Sequence, residues 1–141
     1  LSKLAIEEVG GKLYNDSLAN TFYVNDSHIN SFETITDCIN LLRRRNRTAH
    51  ITIEARSVNE AKEAIDLGAD NIVLIYLKDE EIKDVLSIDH EGTIIGASGN
   101  MSIGRIRSLA KMGLDYIVID DLGITIKPIG VTLKVYKRSF K

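Results

Sequence analysis

The sequence predicts an α/β fold, specifically a partial or open (β/α) TIM-like barrel with about six parallel strands. Short β-branched segments alternate with amphipathic helical patterns from one end of the chain to the other. Most of these segments contain few polar residues, which is typical of parallel strands buried on both faces. A helix–glycine–strand unit also occurs twice, and its tight connection favours a barrel over an open α/β sheet.

The predicted elements alternate in order along the chain. Helical patterns occupy residues 1–9, 31–44, 58–67, 79–86 and 103–112, and strand patterns occupy residues 21–24, 50–54, 71–77, 93–97, 116–120 and 131–136. Asn30 and Glu33 have the spacing of a capping box and mark the start of the second helix. Ser57 and Glu60 mark the third helix in the same way. The only proline, Pro128, interrupts none of these helices.

The repeated unit covers residues 60–74 and residues 105–119. In each copy an amphipathic helix ends at a glycine, Gly68 or Gly113, which suits the left-handed position after a helix. An aspartate, Asp70 or Asp115, follows and precedes the strand. Both aspartates are interpreted as structural, because a barrel carries its chemistry at the opposite ends of its strands.

Length and composition indicate one globular domain over residues 1–141. The formal net charge of −2 provides no field that would recruit nucleic acid or anionic lipid. The longest apolar run, residues 72–77, is too short to span a bilayer. No signal-peptide pattern precedes the first helix, so a cytoplasmic protein without nucleic-acid or membrane partners is expected. Leu1, rather than methionine, stands first, which predicts a fragment, a processed chain or an unusual start.

Two further features have a structural interpretation and a functional alternative. Cys38, the only cysteine, lies in an amphipathic segment, so buried packing is favoured over a reactive thiol. The basic run at residues 43–47 closes a helix, where cations complement the helix dipole. A nucleic-acid interface would instead call for interleaved aromatic residues or a wider basic face.

Five local patterns follow one another at the predicted strand ends. Gly10-Gly11 through His28-Ile29 combines glycines, a strand and an Asp-x-His-Ile turn, and the other patterns are Ile51-Thr-Ile-Glu-Ala-Arg, Gly68-Ala-Asp-Asn-Ile-Val-Leu, Ala97-Ser-Gly-Asn and Gly113-Leu-Asp-Tyr-Ile-Val. In order and spacing they resemble the C-terminal barrel domain of the quinolinate phosphoribosyltransferase (nicotinate-nucleotide pyrophosphorylase) family. The resemblance spans nearly the whole chain, and it implies that the family's N-terminal domain and first barrel strand have no counterpart here.

The resemblance implies a phosphoribosyltransferase of NAD biosynthesis, which joins a pyridine dicarboxylate to phosphoribosyl pyrophosphate. Such a reaction requires cations for carboxylates and phosphates, and acidic groups for magnesium and the ribose. The family's His-Arg pair falls on Tyr14 and Asn15, and its strand-end lysine falls on Asn25. Neutral side chains cannot replace charge-assisted contacts to several anionic groups. The first glutamate of the family's Glu-Val-Glu-Val-Glu strand falls on Thr52. The aspartate of its Gly-Ala-Asp-x-Ile-Met-Leu-Asp-Asn pattern falls on Ile75.

The residues that the resemblance retains are the candidate site. Glu54 matches the second glutamate and is the catalytic candidate, with a vestigial strand-end carboxylate as the alternative. Asn25 and His28, and Ser98, Gly99 and Asn100 at a predicted helix N-terminus, are the candidate ligand-binding residues for a small anionic or nucleotide ligand. No metal site is predicted, because Asp26, Glu54, Asp120 and Asp121 are far apart in sequence. Magnesium is implied only if the reaction is retained.

Three functions are compatible with these residues. The favoured one is a catalytically degenerate family member that acts as a binding or assembly subunit. It is expected to form a homo-oligomer, or to pair with a partner chain that completes the barrel and covers its open strand edges. The second is an active phosphoribosyltransferase that works as a split or fragment subunit, and the third is a small-molecule sensor without chemistry.

Overall fold

The structure, a computed structural model, describes residues 2–12, 20–32, 34–120 and 130–133. In chain order its elements are helix α1 (Ser2–Glu8), strand β1 (Thr21–Val24), helices α2 (Asp26–Ile29) and α3 (Ile35–Arg45), strand β2 (His50–Ala55), helix α4 (Val58–Asp66), strand β3 (Asn71–Ile75), helix α5 (Asp79–Leu86), strand β4 (Ile94–Ser98), helix α6 (Ile103–Leu109) and strand β5 (Tyr116–Ile117). At least one helix therefore separates each strand from the next.

The described strands form one parallel sheet in the order β1-β2-β3-β4-β5. Neighbours in sequence are thus neighbours in the sheet, which is the order found in a (β/α) barrel. A doubly wound sheet would reverse its strand order at a switch point. The predicted α/β fold is confirmed.

The side of the sheet that packs against the helices contains the hydrophobic core. It consists of alternate strand residues, such as Ile53, Ile72 and Ile95, which are fully buried together with Ile82 and Leu109 from the helices. Because side chains alternate along a strand, the intervening residues point to the opposite face. That second face carries the candidate site.

Several predicted boundaries are wrong. Helix α3 begins at Ile35, because Thr34 rather than Asn30 caps it, with the Thr34 side chain accepting a bond from the Asp37 amide. Helix α2 was not predicted.

The third strand ends at Ile75 instead of residue 77, because Tyr76 turns the chain with a φ of 59°. The sheet pairing of β5 covers two residues, and the Val118 amide adds one bond to Ala97 at 2.9 Å.

The sixth strand predicted at residues 131–136 is not part of the described sheet. Residues 131–133 have no regular structure, and residues 134–136 lie outside the described residues. Glu33 of the predicted capping box also lies outside them. So do Tyr14, Asn15, Asp121 and Pro128.

The structural interpretation of the repeated unit is confirmed. Asp70 Oδ2 accepts a hydrogen bond of 2.8 Å from the amide of Ile51, and Asp115 Oδ2 accepts one of 2.8 Å from the amide of Ile95. Each aspartate thus satisfies the backbone of the preceding strand. Asp70 also forms an ion pair of 2.9 Å with Arg43, the first residue of the basic run.

Cys38 is buried, with 2% of its surface exposed, and burial raises the pKa of its thiol. This confirms the packing interpretation. Arg43 donates to the carbonyls of Ala49 and Gly68 as well as to Asp70, which ties one end of the basic run to the fold. Within the described ranges no helix is long and apolar enough to cross a membrane.

Candidate functional site

A pocket of about 440 Å³ opens on the second face of the sheet, at the carboxyl ends of the strands. Parallel pairing brings Glu54 beside Val73 and Ile75 beside Ser98 in neighbouring strands. The carboxyl end of a parallel sheet is the edge where (β/α) proteins bind ligands, because the variable strand-to-helix loops meet there. The polar lining residues are Tyr23, Glu54, Arg56, Tyr76, Ser98 and Asp120.

Glu54 lines this pocket at the end of strand β2, and its catalytic role stays a prediction. Its Oε1 atom accepts a hydrogen bond of 2.5 Å from the hydroxyl group of Tyr23, which projects from strand β1. The tyrosine holds the carboxylate against the wall of the pocket. Sequence reasoning missed Tyr23. Its position in the sequence could have identified it. Tyr23 lies two residues before Asn25 at the end of β1, and side chains two residues apart along a strand point to the same face of the sheet.

Ser98 and Gly99 also line the pocket, whereas Asn100 is exposed outside its lining. The Ser98 hydroxyl donates a bond of 3.0 Å to Asp120 Oδ2. This segment does not form the N-terminus of a helix, because helix α6 begins at Ile103 with Ser102 as its cap. The predicted contact of these residues with an anion stays a prediction.

Asn25 and His28 form a capping box at the start of helix α2. The amide of His28 donates to Asn25 Oδ1 at 3.2 Å, and the amide of Asn25 donates to His28 Nδ1 at 3.3 Å. Both side chains lie outside the lining of the pocket. Their local partners account for these two residue types at this turn, and their predicted role in ligand binding is untested.

Tyr76 is a pocket residue that sequence reasoning did not identify as a candidate. Its φ of 59° is the only positive value for a residue other than glycine in the part of the chain that the structure describes. Its ring packs on Gly99, where an added Cβ would lie 2.7 Å from Tyr76 Cδ1. The sequence did contain a signal for this residue. The family pattern has asparagine at this position, and asparagine adopts the left-handed backbone conformation far more readily than tyrosine does.

The electrostatic character of the pocket is set by two carboxylates and one guanidinium group. Arg56 is the only cation among the described lining residues, and its Nη1 atom lies 3.0 Å from Asp26 Oδ2 in an ion pair. Glu54 and Asp120 each interact with a neutral hydroxyl group instead. Val73, Ile75 and Val118 add apolar surface. The described pocket therefore provides no unpaired cation for a phosphate or a carboxylate.

The described residues form no metal site of their own. A site built from protein side chains alone needs several oxygen ligands at close range, whereas magnesium is usually held by one or two carboxylates together with water and substrate phosphates. Ile75 supplies no oxygen, and among the described residues no three histidine, cysteine, aspartate or glutamate side chains form a group that could hold a metal. Asp121, one of the four acidic residues considered from the sequence, lies outside the described residues.

Comparison with known proteins agrees with the strand-end motifs. The family model for the quinolinate phosphoribosyl transferase C-terminal domain matches residues 1–134. The chain is 28% identical over 148 residues to a probable nicotinate-nucleotide pyrophosphorylase (carboxylating) of Methanocaldococcus jannaschii, covering 97% of this chain and 51% of that protein. It is 27% identical over 142 residues to the nicotinate-nucleotide pyrophosphorylase (carboxylating) of Dictyostelium discoideum, covering 98% and 47%.

The likeness extends to three dimensions. The crystal structure of nicotinate-nucleotide pyrophosphorylase from Ehrlichia chaffeensis matches with a TM-score of 0.76 and 30% identity, over 82% of this chain and 42% of that chain. The chain spans about half the length of the curated relatives it matches. Motif order, family model and fold agree, and the chain belongs to the quinolinate phosphoribosyl transferase family, whose C-terminal domain it matches over residues 1–134.

Proposed function

We propose that this chain is a catalytically degenerate member of its family that binds a small ligand in the strand-end pocket and acts as a binding or assembly subunit. One observation carries the proposal. The described lining contains two carboxylates, Glu54 and Asp120, while its one cation, Arg56, is already paired with Asp26. Binding of a phosphorylated donor and a dicarboxylate would place several negative charges beside these carboxylates, and the described lining offers only Arg56 to offset them.

The local roles of the replaced residues support the same proposal. Asn25, at the position of the family's strand-end lysine, uses its side chain to cap helix α2. Ile75, at the position of an aspartate, presents an aliphatic side chain to the pocket. Thr52, at the position of a glutamate, is 95% buried in the sheet, with 5% of its surface exposed. By comparison with the family pattern, each replacement removes a charged side chain.

An assembly role is supported by the edges of the sheet. Strands β1 and β5 are the outer strands of the described sheet, so each has one side without a strand partner there. Open edges of parallel sheets and exposed apolar side chains, such as Ile103 at 72% exposure, are normally covered. We propose that a second copy of this chain, or a partner chain, covers them. Sedimentation velocity at micromolar concentration tests this proposal, and a sharp monomer would count against it.

The second candidate function is an active phosphoribosyltransferase of NAD biosynthesis in which another chain supplies the missing cations. The observation in its favour is that Glu54, Ser98 and Gly99 of the family pattern all line one pocket. Magnesium enters this candidate function only if the reaction is retained, and it would then be held together with the phosphates of the donor, since the described residues form no group of three that could hold it alone.

Two measurements on one preparation distinguish these functions. Calorimetric titration with quinolinate, nicotinate mononucleotide and phosphoribosyl pyrophosphate reports binding, and chromatographic detection of nicotinate mononucleotide reports turnover. The proposal expects no turnover with quinolinate and the donor in the presence of magnesium. Turnover that is lost in Glu54→Gln would establish the second candidate instead.

A further inference from the structure

We propose that the pocket selects a planar organic cation, which the ring of Tyr76 and the carboxylates of Glu54 and Asp120 bind together. The inference rests on the proposed function, since it specifies the class of ligand that the same pocket takes. It reverses the charge of the ligand that the family pattern implies. Three features of the described residues carry it: the carboxylates, the aromatic ring and the apolar surface.

The first feature is the acceptor capacity of the two carboxylates. Glu54 accepts one hydrogen bond from Tyr23, and Asp120 accepts one from Ser98. An ionised carboxylate offers about four acceptor positions on two oxygens. Neither hydroxyl partner carries a charge, so the negative charge of both groups acts on whatever enters the pocket. Arg56 offsets it little, because its own charge is balanced by Asp26 at 3.0 Å.

The second feature is the aromatic ring at the end of strand β3. Tyr76 is 67% exposed and lines the pocket, and its ring rests on the backbone of Gly99. Organic cations bind over aromatic faces, because the negative face of the ring attracts the positive charge. A tyrosine at a φ of 59° is costly, and residues held in such conformations concentrate at ligand-binding positions.

The third feature is the apolar surface of Ile75 and Val118, which are half-buried, whereas Val73 also lines the pocket but has only 1% of its surface exposed. On that apolar side no acceptor replaces the water that a strongly hydrated metal ion or a primary ammonium group would lose. A flat heteroaromatic cation has a weakly hydrated ring that packs on apolar side chains while its charge faces the carboxylates. A volume of about 440 Å³ accommodates a molecule of this size.

The test uses three ligands that share one ring and differ in charge. Isothermal titration calorimetry of the full chain is carried out with 1-methylnicotinamide, a cation, nicotinamide, which is neutral, and nicotinate, an anion. We expect 1-methylnicotinamide to bind about tenfold more tightly than nicotinamide, and nicotinate to show no measurable binding. Preference for nicotinate, equal binding of all three, or no binding of any at millimolar concentration would overturn the proposal.

Variants assign the selectivity to named groups. Glu54→Gln should lower the preference for the cation over nicotinamide by about fivefold, while Glu80→Gln, the same charge change at an exposed residue outside the pocket lining, should leave it unchanged. Tyr76→Phe keeps the ring and should bind within about twofold of the original chain. Tyr76→Asn removes the ring at a backbone conformation that asparagine tolerates, and should weaken cation binding about tenfold.

Each result has a separate meaning. If a variant fails to fold, as judged by circular dichroism, the charge series on the unmodified chain still decides the question. A preference for the cation that survives in both Glu54→Gln and Tyr76→Asn would overturn the assignment to this pocket. The proposed function fails through a different result, which is turnover of quinolinate and donor, so the two failures are distinguishable.

Discussion

Asp70 should be one of the most destabilising positions to truncate outside the hydrophobic core. Its Oδ2 atom accepts bonds from the buried amide of Ile51 at 2.8 Å and from Arg43 at 2.9 Å. Asp70→Ala leaves a buried amide without that acceptor, which costs about 1–3 kcal/mol. The ion pair between Arg43 and Asp70 contributes less to the free energy of unfolding than a buried ion pair would, because about a third of each side chain is exposed. We expect a total loss of about 3 kcal/mol in the free energy of unfolding.

Asp115→Ala is the matched control. Asp115 accepts the equivalent hydrogen bond of 2.8 Å from the amide of Ile95, but its side chain is exposed and, among the described residues, no arginine forms an ion pair with it. Its truncation should cost about 1–2 kcal/mol. Urea denaturation followed by circular dichroism measures both values. If Asp70→Ala cost less than Asp115→Ala, the role assigned to Arg43 would be refuted.

The Asp70 contribution should also depend on pH. Burial is the largest single influence and raises the pKa of Asp70, but the Ile51 amide and Arg43, with His50, together hold that pKa below its ordinary value. The unfolded chain therefore binds a proton before the folded chain does as pH falls. The stabilisation is fully present above about pH 4 and is lost as pH falls through the folded pKa. The gap in unfolding free energy between the original chain and Asp70→Ala should be constant near neutral pH and shrink below about pH 4.

Two further predictions concern packing. Gly96→Ala should destabilise the fold by about 1–3 kcal/mol in urea denaturation, because the added Cβ would meet the ring of Tyr116. Gly104→Ala is the control. Its added Cβ has no contact nearer than 3.9 Å, so the change should be neutral or stabilising by up to about 1 kcal/mol. Equal effects of the two changes would contradict this. Cys38 should react with a thiol reagent at about pH 7 at least tenfold more slowly in the folded protein than in urea, because the thiol is buried and its pKa raised. Rapid labelling of the folded protein would show that the site opens.

The elements that sequence reasoning predicted correctly are those determined by local pattern. Apolar runs identified the central strands β2, β3 and β4, because a strand that is buried on both faces consists almost entirely of apolar residues. The repeat placed Asp70 and Asp115 at equivalent junctions, where both now bond to the preceding strand. Glu54 was expected at a strand end, and it lines the pocket because strand ends in a (β/α) fold lie at the ligand-binding edge.

The features that were missed depend on contacts between distant residues or on unusual caps. The bond between Tyr23 and Glu54 joins residues 31 positions apart, so no local pattern reports it. The positive φ of Tyr76 is fixed by the packing of its ring on Gly99 and by the hydrogen bond of 3.2 Å that its amide donates to the carbonyl of Ser98. Helix α2 escaped prediction because its capping box pairs Asn25 with His28 rather than the usual serine or threonine with glutamate.

The most direct test of the central claim is whether the chain makes nicotinate mononucleotide. The purified protein is incubated with saturating quinolinate, phosphoribosyl pyrophosphate and magnesium, and the product is quantified by chromatography over many hours. A pocket with carboxylates, an aliphatic Ile75 and no unpaired cation among its described residues predicts no product above the protein-free control. Sustained product formation that Glu54→Gln abolishes would contradict the claim.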